Sequence, residues 1–460
     1  MIRTTLLLAS LPLILPTATV GAVVVGASAR PASVPAQDEP PSADEGEQDD
    51  AADAGPQHFD ERSTKGLLGR FERAEHWTMQ CLVLLAFGER WHPVGASAFV
   101  RALDSREPRL RAYALEGLHR ADDACLAWVA TPELVEVLMK KSLSDRDDHF
   151  HARVLALLAR LFPEVDADDK GAWRAYWRDA AEAYEPAPWV APPPREKSGD
   201  TVALAVDRAL DLREAGLELC FCIDATGTMG PLIDATAQAA QKVGELLEGF
   251  APELRVGAVI YRDQGDMPGG AKVLAELTKR HDNVFDEIAD VRAEGGGDIP
   301  EAVGAGIELA VQQDALDWSF PTNKLVIVMG DAPPHPGEVD AAVESARRAH
   351  ERPLGFEAKS RRSSSGRTVA AAPRPFVVSC IGVGVRSVHS HCQEAFEKIA
   401  DAGGGAYASL AVDGDEERVR RASREVVRHV LSMSFGERWR DEVGEFLAIY
   451  FTYLDHEYFD

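Results

Sequence analysis

Cys222-Ile223-Asp224-Ala225-Thr226-Gly227-Thr228-Met229-Gly230 closes an apolar run that begins at Leu217. The run reads as a buried strand ending abruptly in an acid, and a helical pattern opens at Leu232. Asp224, Thr226 and Thr228 stand at alternate positions just past the strand, so three oxygen donors point into one space. Such donors suit a hard divalent cation: Mg²⁺ first, with Mn²⁺ or Ca²⁺ as alternatives.

Outward from this point strand and helix alternate. Strands are expected at Leu217–Ile223, Val256–Tyr261, Leu325–Met329, Phe376–Val383 and Ala406–Leu410, with a short edge strand at Lys272–Leu277. Helices are expected at Leu232–Leu247, Val284–Val291, Pro300–Val311, Val339–Ala349, Gln393–Ala400 and Glu416–Leu431. Crossover connections of this kind give an α/β, doubly wound, mostly parallel sheet with helices on both faces. Ligands of such sheets bind at the carboxyl ends of the strands.

Two more acid-bearing segments fall at that edge. Glu294-Gly295-Gly296-Gly297-Asp298-Ile299-Pro300-Glu301 is a glycine-rich loop entering a helix, with Pro300 read at its first turn. Val326-Ile327-Val328-Met329-Gly330-Asp331 is another buried strand ending in an acid. The three segments together resemble the metal-ion-dependent adhesion site of von Willebrand factor A domains, a Rossmann-like fold. The glycine loop departs from the common pattern, which places a Thr there. Its Asp-x-Pro-Glu spacing is similar to the A-like domain of integrin β subunits. By position, that resemblance makes Glu301 a ligand of the central cation and Asp298 a ligand of an adjacent one. The bland alternative for Glu301 is a cap on the helix that follows. The resemblance covers residues 215–433, including the Gly403-Gly404-Gly405 entry to the last strand, and implies that a partner carboxylate completes the cation's coordination.

His335, His389 and His391 lie on the same edge, and His389-x-His391-Cys392 is weighed as a transition-metal site against local hydrogen bonding in a loop. A basic, Ser-rich insert at 354–374 (Lys359, Arg361, Arg362, Arg367, Arg374) reads as a surface loop, with docking of an acidic partner as the rival.

Residues 63–185 are helical in period throughout. Arg111-x-x-Ala114-Leu115 returns 42 residues later as Arg153-x-x-Ala156-Leu157, each after another apolar helix, a spacing that resembles HEAT-type repeats. Trp173 and Trp177 are expected to close this unit by packing. A proline-rich linker is placed at 186–205, the A domain at 206–433 and an aromatic helical tail at 434–460. Residues 1–29 read as a signal peptide with a cleavage pattern at Ala27-Ser28-Ala29, with an uncleaved N-terminal anchor as the rival, and 30–62 as an acidic, proline-rich tether. This predicts a secreted, periplasmic or cell-surface protein with no integral membrane segment after cleavage.

The formal net charge of −26 opposes a nucleic-acid partner. Six cysteines in 460 residues are not a disulfide framework, and Cys220 and Cys222 are expected to pack as small apolar groups. No phosphate-binding loop, nucleophile elbow or His-Glu-x-x-His motif is present. The expectation is a cation-dependent adhesion or adaptor protein that captures an acidic side chain of a partner, and no enzyme. The alternatives are a metal-dependent hydrolase using the same carboxylates, with His335 as base, and a structural domain with a vestigial site.

Overall fold

The computed structural model describes residues 61–88, 91–165, 170–190, 201–296, 300–319, 321–351, 361–362, 368–369, 374–383, 390–410 and 416–459. The signal peptide, nearly all of the tether, Asp298 and His389 lie outside them. At the centre stand β1 (Leu217–Asp224), β2 (Arg255–Tyr261), β3 (Ala271–Thr278), β4 (Asn323–Gly330), β7 (Phe376–Val383) and β8 (Gly404–Leu410), ordered β3-β2-β1-β4-β7-β8. Every pairing is parallel except β2 with β3. The short β5 (Arg361–Arg362) and β6 (Thr368–Val369) pair only with each other. All of β1 is buried, as a central parallel strand covered on both faces must be.

Side chains alternate between those faces. Leu219, Phe221 and Ile223 meet α10 (Gly230–Phe250), α11 (His281–Ala289) and α16 (Glu416–Phe435). Cys220 and Cys222 face the other way with Cys380 and Cys392, among α12 (Val303–Ala310), α14 (Val339–Glu351) and α15 (Ser390–Ala402). All six cysteines are free and buried, as small apolar residues.

The N-terminal helices are α1 (Glu61–Arg73), α2 (Trp77–Phe87), α3 (Ala96–Leu103), α4 (Pro108–Arg120), α5 (Asp123–Val129), α6 (Pro132–Lys140), α7 (Asp148–Leu161) and α8 (Lys170–Ala180). Their starts are written locally. The Asp122, Thr131 and Asp147 side chains accept from the backbone amides of Cys125, Leu134 and Phe150. α3 packs on α4 and on α6, and α4 on α7. Arg153 of α7 bonds Glu116 of α4 at 2.8 and 2.6 Å. Trp173 and Trp177 are buried against Phe162 at the far end.

Three boundaries move. Glu61 and Arg62 belong to α1, not to the tether. The last residues of the expected linker, 201–205, begin helix α9 (Thr201–Ala215), because Val202, Ala205, Val206, Ala209 and Leu212 form a buried stripe at helical spacing. Arg374, grouped with the basic insert, is instead clamped to Asp211 and Asn323 beneath the sheet at 2.8–3.0 Å.

The two regions share one apolar core. α2 packs on α9 and α10, and α17 (Arg440–Asp455), from the aromatic tail, packs on α4, α9 and α16. Phe446 of α17 lies between Tyr113 of α4 and Phe250 of α10, with ring centroids 4.9 and 5.7 Å away. The Tyr113 hydroxyl donates to the Phe446 carbonyl at 2.6 Å.

One buried imidazole sits in this architecture. His429 of α16 faces the Ser379 hydroxyl at 2.8 Å, and burial, helped by Arg440, holds its pKa down at about 4. The unfolded chain therefore takes up a proton near the ordinary 6.5 while the folded chain resists it. Stability from this group is complete above pH ~6.5 and is lost as pH falls toward ~4, by roughly 3 kcal/mol. Urea midpoints at neutral and mildly acid pH should converge in His429→Gln. An unchanged pH slope in that variant would exclude His429 as a source of acid sensitivity.

Candidate metal centre

β1 and β4 are parallel neighbours with Ile223 opposite Met329, which sets Asp224 beside Gly330 and Asp331 one step beyond. Gly330 is required by packing: a Cβ there would lie 2.3 Å from the Tyr261 hydroxyl oxygen and 3.4 Å from Asp224 Oδ2. The Tyr261 hydroxyl instead donates to the Met329 carbonyl at 2.9 Å and holds the strand end in place.

Asp224 is fully buried. Its Oδ1 accepts from the Thr226 amide at 2.9 Å and the Thr226 hydroxyl at 2.7 Å. Its Oδ2 is buried with no hydrogen-bond partner. Thr228 follows on the 3₁₀ turn Gly227–Met229, exposed at the surface of the same loop.

The glycine-rich loop is drawn against this turn. The Gly227 amide donates to the Gly295 carbonyl at 3.1 Å and the Glu294 amide to the Ala225 carbonyl at 3.2 Å. Asp266 accepts from the Gly296 amide at 2.8 Å. Gly296 adopts a φ of +80°, and a Cβ on it would stand 3.1 Å from Thr226 Cβ and 3.5 Å from Glu301 Oε1. The loop thus brings Glu301 next to Thr226.

Glu301 does not sit in the first turn of a helix as expected. The helix starts at Val303, and Glu301 is extended, paired across a bridge with Pro334 and donating its amide to the Pro333 carbonyl at 3.0 Å. That backbone pairing competes with the helix and wins, so the capping alternative is removed. Glu301 is 2% exposed and its Oε2 has no hydrogen-bond partner.

The electrostatics follow from this geometry. Burial pushes the Asp224 carboxyl up to about 7, against the hydrogen bonds from Thr226, and the Asp331 charge pushes the same way. Burial pushes Glu301 up to about 8, reinforced by Asp224, Asp263 and Asp331. Two buried carboxyls with orphaned oxygens and mutually repelling charges fit a cation, which would relieve both costs. Among the described residues no three His, Cys, Asp or Glu side chains close on one point by themselves. A cation here would need the hydroxyls of Thr226 and Thr228 beside the carboxyls to complete an oxygen set. Asp224, Thr226 and Glu301 are brought together, Asp331 is near enough for its charge to act on both carboxyls, and Thr228 lies on the loop of Asp224 and Thr226.

Sequence reading passed over Asp263. It follows the end of β2 and bonds His335 Nε2 at 3.1 Å, beside Glu301. The carboxyl-end rule for parallel strands was the signal that could have found it. His335 is therefore held by the loop that follows β2. Cys392 is buried in the apolar layer while its neighbour His391 is exposed, so the two do not converge on a metal.

A family model described as a von Willebrand factor A domain matches residues 218–411. Over 173 residues the chain is 30% identical to von Willebrand factor A domain-containing protein 7 of Rattus norvegicus, covering 37% of this chain and 18% of that protein. Over 122 residues it is 29% identical to an ariadne-like RING finger protein of Acanthamoeba polyphaga mimivirus, covering 26% of this chain and 12% of that protein. The matches therefore span less than a fifth of either relative's length. Among solved structures, the VWA domain of SpRpn10 is similar, at 14% identity and a TM-score of 0.32, covering 46% of this chain and 95% of that one. Residues 218–411 of this chain are a von Willebrand factor A domain.

Proposed function

We propose that this protein binds a divalent cation, Mg²⁺ by the hardness of its donors, and uses it to capture an acidic side chain of a partner protein. The observation that carries this reading is the pair of buried, partnerless oxygens, Asp224 Oδ2 and Glu301 Oε2, on two carboxyls close enough for the Asp224 charge to act on Glu301. Von Willebrand factor A domains generally mediate protein–protein interactions, and the cation would supply an electrophile for the partner's carboxylate. Asp224, Thr226, Thr228, Glu301 and Asp331 would hold it, with Asp298 serving an adjacent position. The stacked helix pairs, as HEAT-like repeats, would offer a second protein-binding surface, making the chain an adaptor.

Isothermal titration of the full chain with Mg²⁺ and Mn²⁺ should show one principal site. Glu301→Gln should weaken it by more than about tenfold, as expected when a charged ligand is removed. No binding by the native chain would leave the domain as a structural one. Unchanged affinity in Glu301→Gln would return the second segment to Asp298.

The hydrolase reading has one observation in its favour, the Asp263–His335 pair beside Glu301. Hydrolysis in a broad ester and phosphoester screen, lost in His335→Ala, would establish it over capture.

Secretion rests on residues 1–29. No helix among the described residues is long and apolar enough to cross a membrane. N-terminal sequencing of the protein recovered outside the cytoplasm should begin just after Ala29, and an intact Met1 on that material would refute cleavage.

A further inference from the structure

Beside the carboxylate cluster lies a groove of about 480 Å³, within the range of pockets that hold ligand groups. Pro300, Pro333, Pro334, Pro336 and Val339 form one wall, and Ala395 of α15 lies on the other. The groove and the candidate metal centre share a wall. Pro300 precedes Glu301, Pro333 accepts the Glu301 amide, and Pro334 pairs with Glu301.

The wall chemistry restricts what can enter. Four prolines offer no backbone N–H, so an incoming chain cannot add to this edge by strand pairing. Their rings are rigid and apolar, so the groove needs little ordering to accept an apolar side chain. At the rim Lys398 is bonded to Glu394 at 2.7 Å, and His391 is the other basic side chain that lines the groove. The apolar lining suits an aliphatic side chain, whereas the carboxylates next door call for a cation and, through it, an anion.

The geometry points to one occupant: an extended segment of a partner protein in which the captured Asp or Glu stands within two residues of an aliphatic side chain, and that side chain fills the proline-walled groove. Consecutive residues of an extended chain advance about 3.3 Å, so both anchors fall within a few residues of each other. This rests on the proposed cation-dependent capture and adds the second determinant of specificity, since a single carboxylate distinguishes few partners.

The test is a random-peptide display selection on the full chain in Mg²⁺, with elution by chelator, and anisotropy measurements on the selected peptides. Enriched peptides should pair an acid with a neighbouring Val, Leu, Ile or Met. Val339→Asp, which places a charge in the groove, should weaken them about tenfold or more. Pro336→Asp, at an exposed rim position, serves as a second variant should Val339→Asp lose its native melting temperature. Mg²⁺ titration should be unchanged in both. Peptides enriched for acids alone, or indifferent to a folded groove variant, overturn the groove while leaving cation capture standing. No chelator-sensitive enrichment, or a Mg²⁺-dependent dimer of this chain occupying the face, overturns it too. Loss of Mg²⁺ binding by the native chain instead identifies the failure as that of the capture reading.

Discussion

Asp224→Asn should abolish cation binding and, in the same protein, raise the stability of the cation-free fold. Asn keeps the oxygen that accepts from Thr226 and removes the charge whose second oxygen has no partner. The Asn amide nitrogen takes the partnerless position of Oδ2, so the gain comes from removing a buried charge, which costs more than a neutral polar group in the same place, and about 1 kcal/mol or more is expected without metal. The native chain should be stabilised by about 2.7 kcal/mol when Mg²⁺ stands at 100 times its Kd, and the variant by nothing. Thermal melts with chelator and with Mg²⁺ read both effects. A variant that is less stable than the native chain without metal and still responds to Mg²⁺ would show that Asp224 is a structural residue. The opposite signs separate a residue kept for binding from one kept for the fold.

Phe446→Ala should destabilise the whole chain by about 3–5 kcal/mol in a single transition. The ring is 2% exposed and fills the space between α4 and α10, so its loss opens a cavity that neither region can close alone. Calorimetry should show one peak displaced to lower temperature. Two resolved transitions, with the helical pairs melting apart from the A domain, would refute the shared core. Phe446→Leu should recover most of the loss, because an aliphatic side chain refills much of the volume.

The centre of the sheet is legible in the sequence because β1 and β4 carry their own record: an apolar run, a glycine or acid at its end, and a helical period afterwards. Asp224, Thr226 and Asp331 could be placed for the same reason, since strand ends in parallel sheets converge. Glu301 was placed in the right loop with the wrong backbone. A Pro before an acid reads as a helix start, and only the pairing with Pro334, 33 positions away, shows otherwise. Asp263 and His335 are 72 residues apart, and no local pattern announces their bond. The common core of the helical pairs and the A domain was hidden likewise. The proline-rich stretch reads as a divider, while the contacts that cross it come from Tyr113, Phe250 and Phe446, none near it in the chain.

Helix α9 passes into β1 through Gly216 alone, at a φ of +79°, and β1 runs straight from there to Asp224. A pull applied by a partner at Asp224, resisted by the helical layer that grips α9, would act along the length of this strand. β1 is joined in parallel by seven register positions to β2 and seven to β4. Under such tension these rungs are sheared together rather than peeled in turn, and the backbone bonds of a parallel pair are evenly spaced to share the load. The strand that presents the acid thereby acts as a tie-rod between the carboxyl edge of the sheet and the helices that hold α9.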